Sequence, residues 1–564
     1  MFIIGSLFIL ISNIFALYPA EFVRESFNEI ERSISNASND IKKILLKYGA
    51  LIILFSIIKG VFMFFMRQTI IVMSRKIEFD LKNQIYQKYQ ELTLSFYKKN
   101  NTGDLMNRIT EDVSRVRMYL GPVIMYAINM ICLFSLVITK MMNINTTLTL
   151  YVLAPLPILV ILIYYVSNLI HKNSEQVQKQ LSNLTSFAQE NFSAINIIKI
   201  FRNEEKSLNK FLAEINKYTK YQLNLVSVEA WFFPIMILLI GLSTITTIYI
   251  GGLESFNGKI TTGNIAEFII YINMLTWPIA SIGWITSLIQ RAEASMKRIN
   301  EFLNIKSEII NNPANKISKI ENIEFKNVSI IYKDTKIEAL NKINFKINQG
   351  NTFGIFGGTG SGKSSIANLI CRSYDATKGS ILINGVDIKD IDISSLRNII
   401  GYVPQDGYLF SGTIEENIYF GSNKINKEEV INAAEISEIT NDVDKFAEKY
   451  NTIIGERGVQ LSGGQKQRVS IARAIYSKPL LFILDDCLSA IDAKKEKKIL
   501  NNLKQITKNK TTIIISHKTS TFIHADKIIV LEDGKILEKG SYKDLIKQDG
   551  FFAKMHKKQI HQNI

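Results

Sequence analysis

At 564 residues the chain exceeds what one hydrophobic core organises, and its composition divides near residue 300 into two halves. The formal net charge of +16 comes from lysine spread along both halves, which disfavours a nucleic-acid partner and suits a cytoplasmic face drawn to anionic lipid. The three cysteines, Cys132, Cys371 and Cys487, have neither metal-ligand nor disulfide-framework spacing and read as packing residues.

The first half carries repeated apolar stretches of about 20 residues, the length that crosses a bilayer as a helix. Six spans are predicted, at about Phe2–Ala20, Tyr48–Met73, Leu120–Met142, Thr146–Leu169, Val228–Gly251 and Ile265–Ile289. The first lacks a basic leader and a small-residue cleavage site, so it reads as a retained helix rather than a signal peptide. Six spans return the chain to its starting side. With both termini cytoplasmic, residues 21–47, 143–145 and 252–262 lie outside and hold six basic residues: Arg24, Arg32, Lys42, Lys43, Lys47 and Lys259. The cytoplasmic stretch 74–119 alone holds nine, as the positive-inside bias expects.

Two cytoplasmic excursions, Ser74–Tyr119 and Ile170–Ser227, are long enough for helical hairpins. Their turn-like segments, Lys98–Asp104 and the stretch near Ser193–Asn196, are placed to rest on the second half. Within the spans, Lys140 and Glu267 are expected to snorkel to an interface, while Trp277-Pro278 and Trp284 are candidates to line a path for apolar cargo.

The second half opens its chemistry with Gly357-Gly358-Thr359-Gly360-Ser361-Gly362-Lys363-Ser364, which fits G-x-x-x-x-G-K-[ST]. Glycines without side chains let backbone N–H groups converge on phosphate oxygens, Lys363 adds a point charge, and Ser364 offers a hydroxyl to Mg²⁺. The apolar run Thr352–Phe356 reads as the strand entering this loop, and Ser365–Cys371 as the helix whose N-terminal dipole faces the phosphates. Leu480–Asp486 reads as a buried strand ending in two carboxylates, with Asp485 on the metal side and Asp486 beside the attacking water. Gln405 is spaced to reach the metal or its water, and His517 to donate to the terminal phosphate.

With Leu461-Ser462-Gly463-Gly464-Gln465 in place about a hundred residues after the loop, the whole chain resembles an ATP-binding cassette (ABC) exporter half-transporter. The resemblance implies an α-helical membrane domain with long cytoplasmic extensions, fused to an α/β P-loop nucleotide-binding domain. Expected boundaries are 1–290 for the membrane domain, 291–318 for a linker and 319–564 for the ATP-binding domain. It further implies ATP and Mg²⁺ as cofactors, with Tyr332 stacking on adenine and Gly357–Ser365 on the phosphates. A second half-transporter chain follows from it as well. Two cassettes would sandwich two ATPs head to tail, so that Ser462, Gly463, Gly464 and Gln465, with Asp492 in Ser489-Ala-Ile-Asp492, complete the site on the other chain's loop.

One position departs from the family pattern: the general base, commonly glutamate, is Asp486, one methylene shorter. The departure, with Gly455–Val459, Thr102–Leu105 and Val116–Pro122, is similar to bacterial heterodimeric multidrug exporters in which one site is degenerate. The resemblance implies export across the cytoplasmic membrane of hydrophobic or amphipathic molecules, or flipping of lipids. Peptide export and a regulatory ATP-binding subunit are the alternative readings.

Overall fold

The computed structural model describes residues 1–35, 41–311, 315–422, 425–455, 461–506 and 510–562. The Gly455–Val459 stretch, apart from its first residue, lies outside the described residues. The chain forms two compact units: Met1–Gln90 with Gly103–Ile305, and Glu91–Thr102 with Lys306–Ile564.

The first unit is helical, as a segment in hydrocarbon must be when every backbone polar group needs an internal partner. In chain order come α1 (Phe2–Ser35), α2 (Ile41–Glu91), and, after the short α3 (Leu94–Lys99) of the second unit, α4 (Thr102–Asn107), α5 (Val113–Met118) and α6 (Ile124–Ile144). Two π-helical turns, Arg108–Asp112 and Tyr119–Val123, join α4, α5 and α6 into one rod; the second holds Pro122, whose missing N–H removes one bond of the α-helical ladder there. The unit continues with α7 (Thr146–Leu153), α8 (Pro155–Ser193), α9 (Ile195–Ile200), α10 (Glu204–Phe256) and α11 (Thr262–Leu303).

Among the described residues five helices are long and apolar enough to cross a membrane: Phe2–Ile34, Ile41–Glu91, Thr102–Ile144, Glu204–Phe256 and Thr262–Leu303. The stretch expected as a span at 146–169 consists instead of α7 and the start of α8, parted at Ala154 because Pro155 starts a helix more readily than it continues one. The excursions are continuations of the same helices. The 53 residues of α10 at about 1.5 Å each run about 80 Å, far longer than a bilayer core.

Burial corrects one expectation about the spans. Glu267 does not snorkel: its side chain is 1% exposed and is held by Arg24 Nη1 at 3.3 Å and Tyr271 Oη at 2.8 Å. This ion pair ties α1 to α11, next to the apolar cluster of Leu17, Ala20, Phe268 and Tyr271. Lys140 is half-exposed and reaches Glu21 on α1 at 2.5 Å. Trp277 and Trp284 are exposed on α11, and Trp284 meets Tyr126 edge to face.

The second unit is built on two sheets. The strands are β1 (Asn322–Ile331), β2 (Glu338–Asn348), β3 (Thr352–Gly357), β4 (Lys378–Ile383), β5 (Val386–Asp387), β6 (Ile400–Val403), β7 (Gly412–Thr413), β8 (Ile453–Ile454), β9 (Leu481–Asp485), β10 (Thr511–Ser516), β11 (Lys527–Glu532) and β12 (Lys535–Gly540). An antiparallel sheet runs β2-β1-β4-β5, and a larger one runs β12-β11-β3-β10-β9-β6, parallel from β11 to β6. Central parallel strands are covered on both faces, which is why β9 is apolar up to its terminal Asp485, and why β9 and β10 are buried at every residue. Alternate residues feed two cores. Ile355, Ile483 and Ile513 pack toward the antiparallel sheet, whereas Phe356, Leu484 and Ile514 pack toward a helical layer that includes the helix Gly463–Tyr476.

Candidate nucleotide site

The chemistry gathers at one edge of the large sheet, where the carboxyl ends of β3, β6, β9 and β10 open into loops, the usual ligand crevice of a parallel sheet. β3 ends at Gly357, β9 at Asp485 and β10 at Ser516, so the phosphate loop, the paired carboxylates and His517 become neighbours although 160 residues separate them in sequence.

The loop leads into α12 (Lys363–Ile370), two residues earlier than expected. Gly362 caps this helix at φ +95°, and a Cβ there would stand 2.3 Å from the Ala339 carbonyl oxygen, so only glycine fits. Lys363 folds back on the loop, donating from Nζ to the carbonyls of Gly357 at 2.9 Å and Gly358 at 2.6 Å. Burial pushes its ammonium below the ordinary lysine range, against the pull of Asp486 and Asp485. The Ser361 hydroxyl is buried with no protein partner, an unsatisfied donor in the loop that a phosphate oxygen would satisfy. Gly358, Thr359 and Gly360 are exposed at the loop's mouth.

Asp485 is buried, and its two oxygens are divided: Ser364 Oγ donates to Oδ1 at 3.0 Å and Tyr402 Oη to Oδ2 at 3.2 Å. Burial holds this carboxyl above its usual range, opposed by those two hydrogen bonds. Ser364 and Asp485 thus meet as the pair expected to hold Mg²⁺. Among the described residues no group of three or more His, Cys, Asp or Glu stands close enough to hold a metal ion.

Asp486 stands just past the strand at φ +47°, a left-handed conformation that Asp tolerates better than most residues. Its N–H donates to the Ile515 carbonyl at 2.8 Å, and its carboxylate lies 2.9–3.0 Å from His517 Nδ1. With Nδ1 engaged by the carboxylate, Nε2 is the ring nitrogen left to face a phosphate.

Tyr332 lies beside the loop: its hydroxyl is 3.0 Å from Ser365 Oγ, and Tyr374 meets its ring edge to face at 5.1 Å. Lys98, in α3, stands 5.4 Å from both ring centroids, so the tip of the first excursion packs within the ATP-binding unit. The second tip, α9, leaves Ile197, Ile200 and Phe201 exposed.

Ser462–Gln465 are remote from this loop in bonding terms. Ser462 and Gln465 form a reciprocal capping box that opens the helix Gly463–Tyr476, with Ser462 N donating to Gln465 Oε1 at 2.9 Å. Gln465 Nε2 donates to Asp442 Oδ1 at 3.2 Å, so this side chain is spent inside the chain. Among the described residues no hydrogen bond joins Ser462–Gln465 to Gly357–Ser365. Asp492 caps the next helix, Ala493–Ile506, by accepting from Lys495 N at 3.0 Å.

The backbone of Gln405 is anchored by Gln467, whose Nε2 donates to its carbonyl at 3.1 Å. Three residues of the site were missed by sequence reasoning. Tyr402 and Asp442 carry no local signal, since their partners lie 83 and 23 residues away. Gln467 had one: it shares an i, i+4, i+7 stripe with Ile471 and Ala474, so an amide stands on a buried face.

Comparison with known proteins agrees with this architecture. Residues 3–279 match the family model for the ABC transporter transmembrane region, and residues 340–489 a second family model described as ABC transporter. The chain is 34% identical over 502 residues to the uncharacterized ABC transporter ATP-binding protein YknU of Bacillus subtilis, covering 89% of this chain and 86% of the relative. It is 30% identical to the multidrug resistance-like ATP-binding protein MdlA of Escherichia coli, with 91% and 88% covered. An ATP-dependent lipid A-core flippase of Syntrophus aciditrophicus is 32% identical, with 91% and 85% covered. A bacterial Atm1-family ABC exporter solved with ATP bound shares the fold at a TM-score of 0.81 and 23% identity, covering 99% of this chain and 98% of that one.

Proposed function

This chain belongs to the ABC transporters, as a multi-pass half-transporter of a type that works in pairs, and from that premise we propose that it exports hydrophobic or amphipathic small molecules, or flips lipids, using ATP. The observation that carries the reading is the convergence of Lys363, Ser364, Asp485, Asp486 and His517 at one sheet edge, in a chain whose other half is apolar helix. Six spans across the cytoplasmic membrane put both termini and the ATP-binding domain in the cytoplasm. The membrane domain expected over 1–290 runs on with α11 to Leu303, so the division that goes with that topology lies near Ile305, ahead of the ATP-binding domain expected from 319.

Tyr332 stacks on adenine, and Gly357–Ser365 cradle the phosphates of Mg²⁺-ATP. Ser364 and Asp485, with Gln405, would hold Mg²⁺, which would neutralise phosphate charge when bound. Asp486 takes the proton of the attacking water while His517 donates to the terminal phosphate. Ser462, Gly463 and Gly464, with Asp492, complete the site on the second chain; the lack of hydrogen bonds from Ser462–Gln465 to the chain's own loop supports this division. Closure of two cassettes on ATP opens the helices outward, and hydrolysis resets them. The exposed Trp277 and Trp284 of α11 suit a cargo path completed by the second chain.

A second reading has its own observation. The Asp486 carboxylate is short and already engaged by His517, which supports slow turnover at this loop and a partner that carries the faster site. ATP hydrolysis by the purified chain alone in lipid, beside Asp486→Asn, separates the two. Asn tolerates left-handed φ, so the variant keeps its fold. Mg²⁺-dependent turnover that the variant abolishes means a working homodimer; ATP binding without turnover means half of a heterodimer.

A further inference from the structure

The helix Gly463–Tyr476 buries one polar side chain with a use beyond packing. Gln467 is 6% exposed, and its amide works at both ends. Nε2 donates to the carbonyl oxygen of Gln405 at 3.1 Å, and Oε1 accepts from the N–H of Ala490 at 3.3 Å. Gln405 belongs to the loop after β6, and Ala490 to Ser489-Ala-Ile-Asp492 after β9, so one side chain spans the two loops from the helix that begins at the Ser462 cap.

The backbones around it are packed to match. A Cβ on Gly407 would come within 3.0 Å of the Lys466 carbonyl, and a Cβ on Gly464 within 2.8 Å of the Ala490 carbonyl oxygen. Both loops therefore lie directly on the first two turns of this helix. Only a primary amide of this length is donor at one end and acceptor at the other; a carboxylate loses the donor, and a thioether loses the donor and keeps only a weak acceptor.

We propose that Gln467 is a positioning residue that makes the Gln405 loop, the helix at Ser462 and the Asp492 loop move as one piece. Displacement of the Gln405 loop by Mg²⁺-ATP then passes to the Asp492 loop, which is read above as facing the second chain's nucleotide. The inference rests on that reading for its catalytic consequence, whereas the bridge itself does not.

The test uses the full chain in lipid, as wild type, Gln467→Met and Gln467→Glu, followed by amide hydrogen exchange, by the carbonyl ¹³C signal of Gln405 and by ATP turnover in the assembly in which wild type is active. In the Met variant, exchange is expected to rise about tenfold at Ala490, whose N–H loses its amide acceptor, and the Gln405 carbonyl signal to move upfield as it loses its donor, while β9 and β10 keep their protection. The Glu variant, which retains an acceptor, keeps Ala490 protected and moves only the Gln405 carbonyl signal. Turnover by the Met variant is expected to fall about tenfold in kcat with KM for ATP within about twofold, the mark of misplaced groups rather than lost binding. Unchanged exchange at Ala490 with an unmoved Gln405 carbonyl signal overturns the bridge, and so does loss of protection in β9 and β10 alongside them, since that is general softening. Released loops with unchanged kcat overturn the positioning role while leaving export untouched.

Discussion

Asp486→Glu is expected to speed ATP turnover while costing stability, an unusual pairing that the local geometry dictates. Adding the methylene extends the carboxylate by about 1.3 Å, and a misplacement near 1 Å is worth on the order of a hundredfold in rate, about 2.7 kcal/mol. Part of that gain is withheld, because the longer side chain must re-form the 2.9–3.0 Å contact with His517 Nδ1 from a backbone fixed by the Asp486 N–H bond to Ile515. A rise of about tenfold in kcat is therefore expected. The cost comes from φ at +47°, where Asp is several-fold enriched over residues such as Glu, a preference of about 1 kcal/mol. In a domain of this size that lowers the unfolding temperature by about 2–4 °C. Steady-state ATPase and thermal unfolding of the two chains in the same lipid read both quantities. A Glu variant that binds ATP as tightly as wild type yet turns over no faster would refute the idea that carboxylate reach limits this site.

Tyr332→Ala is expected to weaken ATP binding about tenfold, the worth of one aromatic stack on a base, whereas Tyr332→Phe gives up only the Ser365 contact and changes it less than about threefold; equilibrium titration with a fluorescent ATP analogue measures both. Ser364→Ala removes the donor to Asp485 Oδ1, so the Mg²⁺-dependent part of ATP affinity is expected to drop by about 1–3 kcal/mol while metal-free binding stays put, a difference that titration with and without chelator reveals. Glu267→Gln leaves Arg24 without its buried partner on α11 and is expected to destabilise the helical unit by about 2–3 kcal/mol, less than a fully buried pair because Arg24 is partly exposed. Glu21→Gln, which breaks the more exposed pair with Lys140, is expected to cost under about 1 kcal/mol in the same detergent-unfolding series.

Chemistry written in contiguous residues is legible before any fold is known. Gly357–Ser364 could be read as a phosphate loop because glycine spacing, lysine and hydroxyl act over eight neighbouring positions, and β3 and β9 could be read as buried strands because a short apolar run favours a covered place. Apolar length likewise marked the spans, although the Ala154 break turned on a proline whose effect depends on which side of it the helix starts.

Pairings between residues far apart in the chain come from the packing of the folded molecule. Whether Glu267 snorkels or pairs depends on Arg24, 243 residues earlier; whether Asp485 is steadied depends on Tyr402, 83 residues earlier. The contact of His517 with Asp486 exists because β9 and β10 run parallel in register, setting Asp485 opposite Ile515. Local periodicity says which face of an element is buried, but the partner on that face is fixed by strand order and packing, and neither is encoded within the few residues over which a motif can be read.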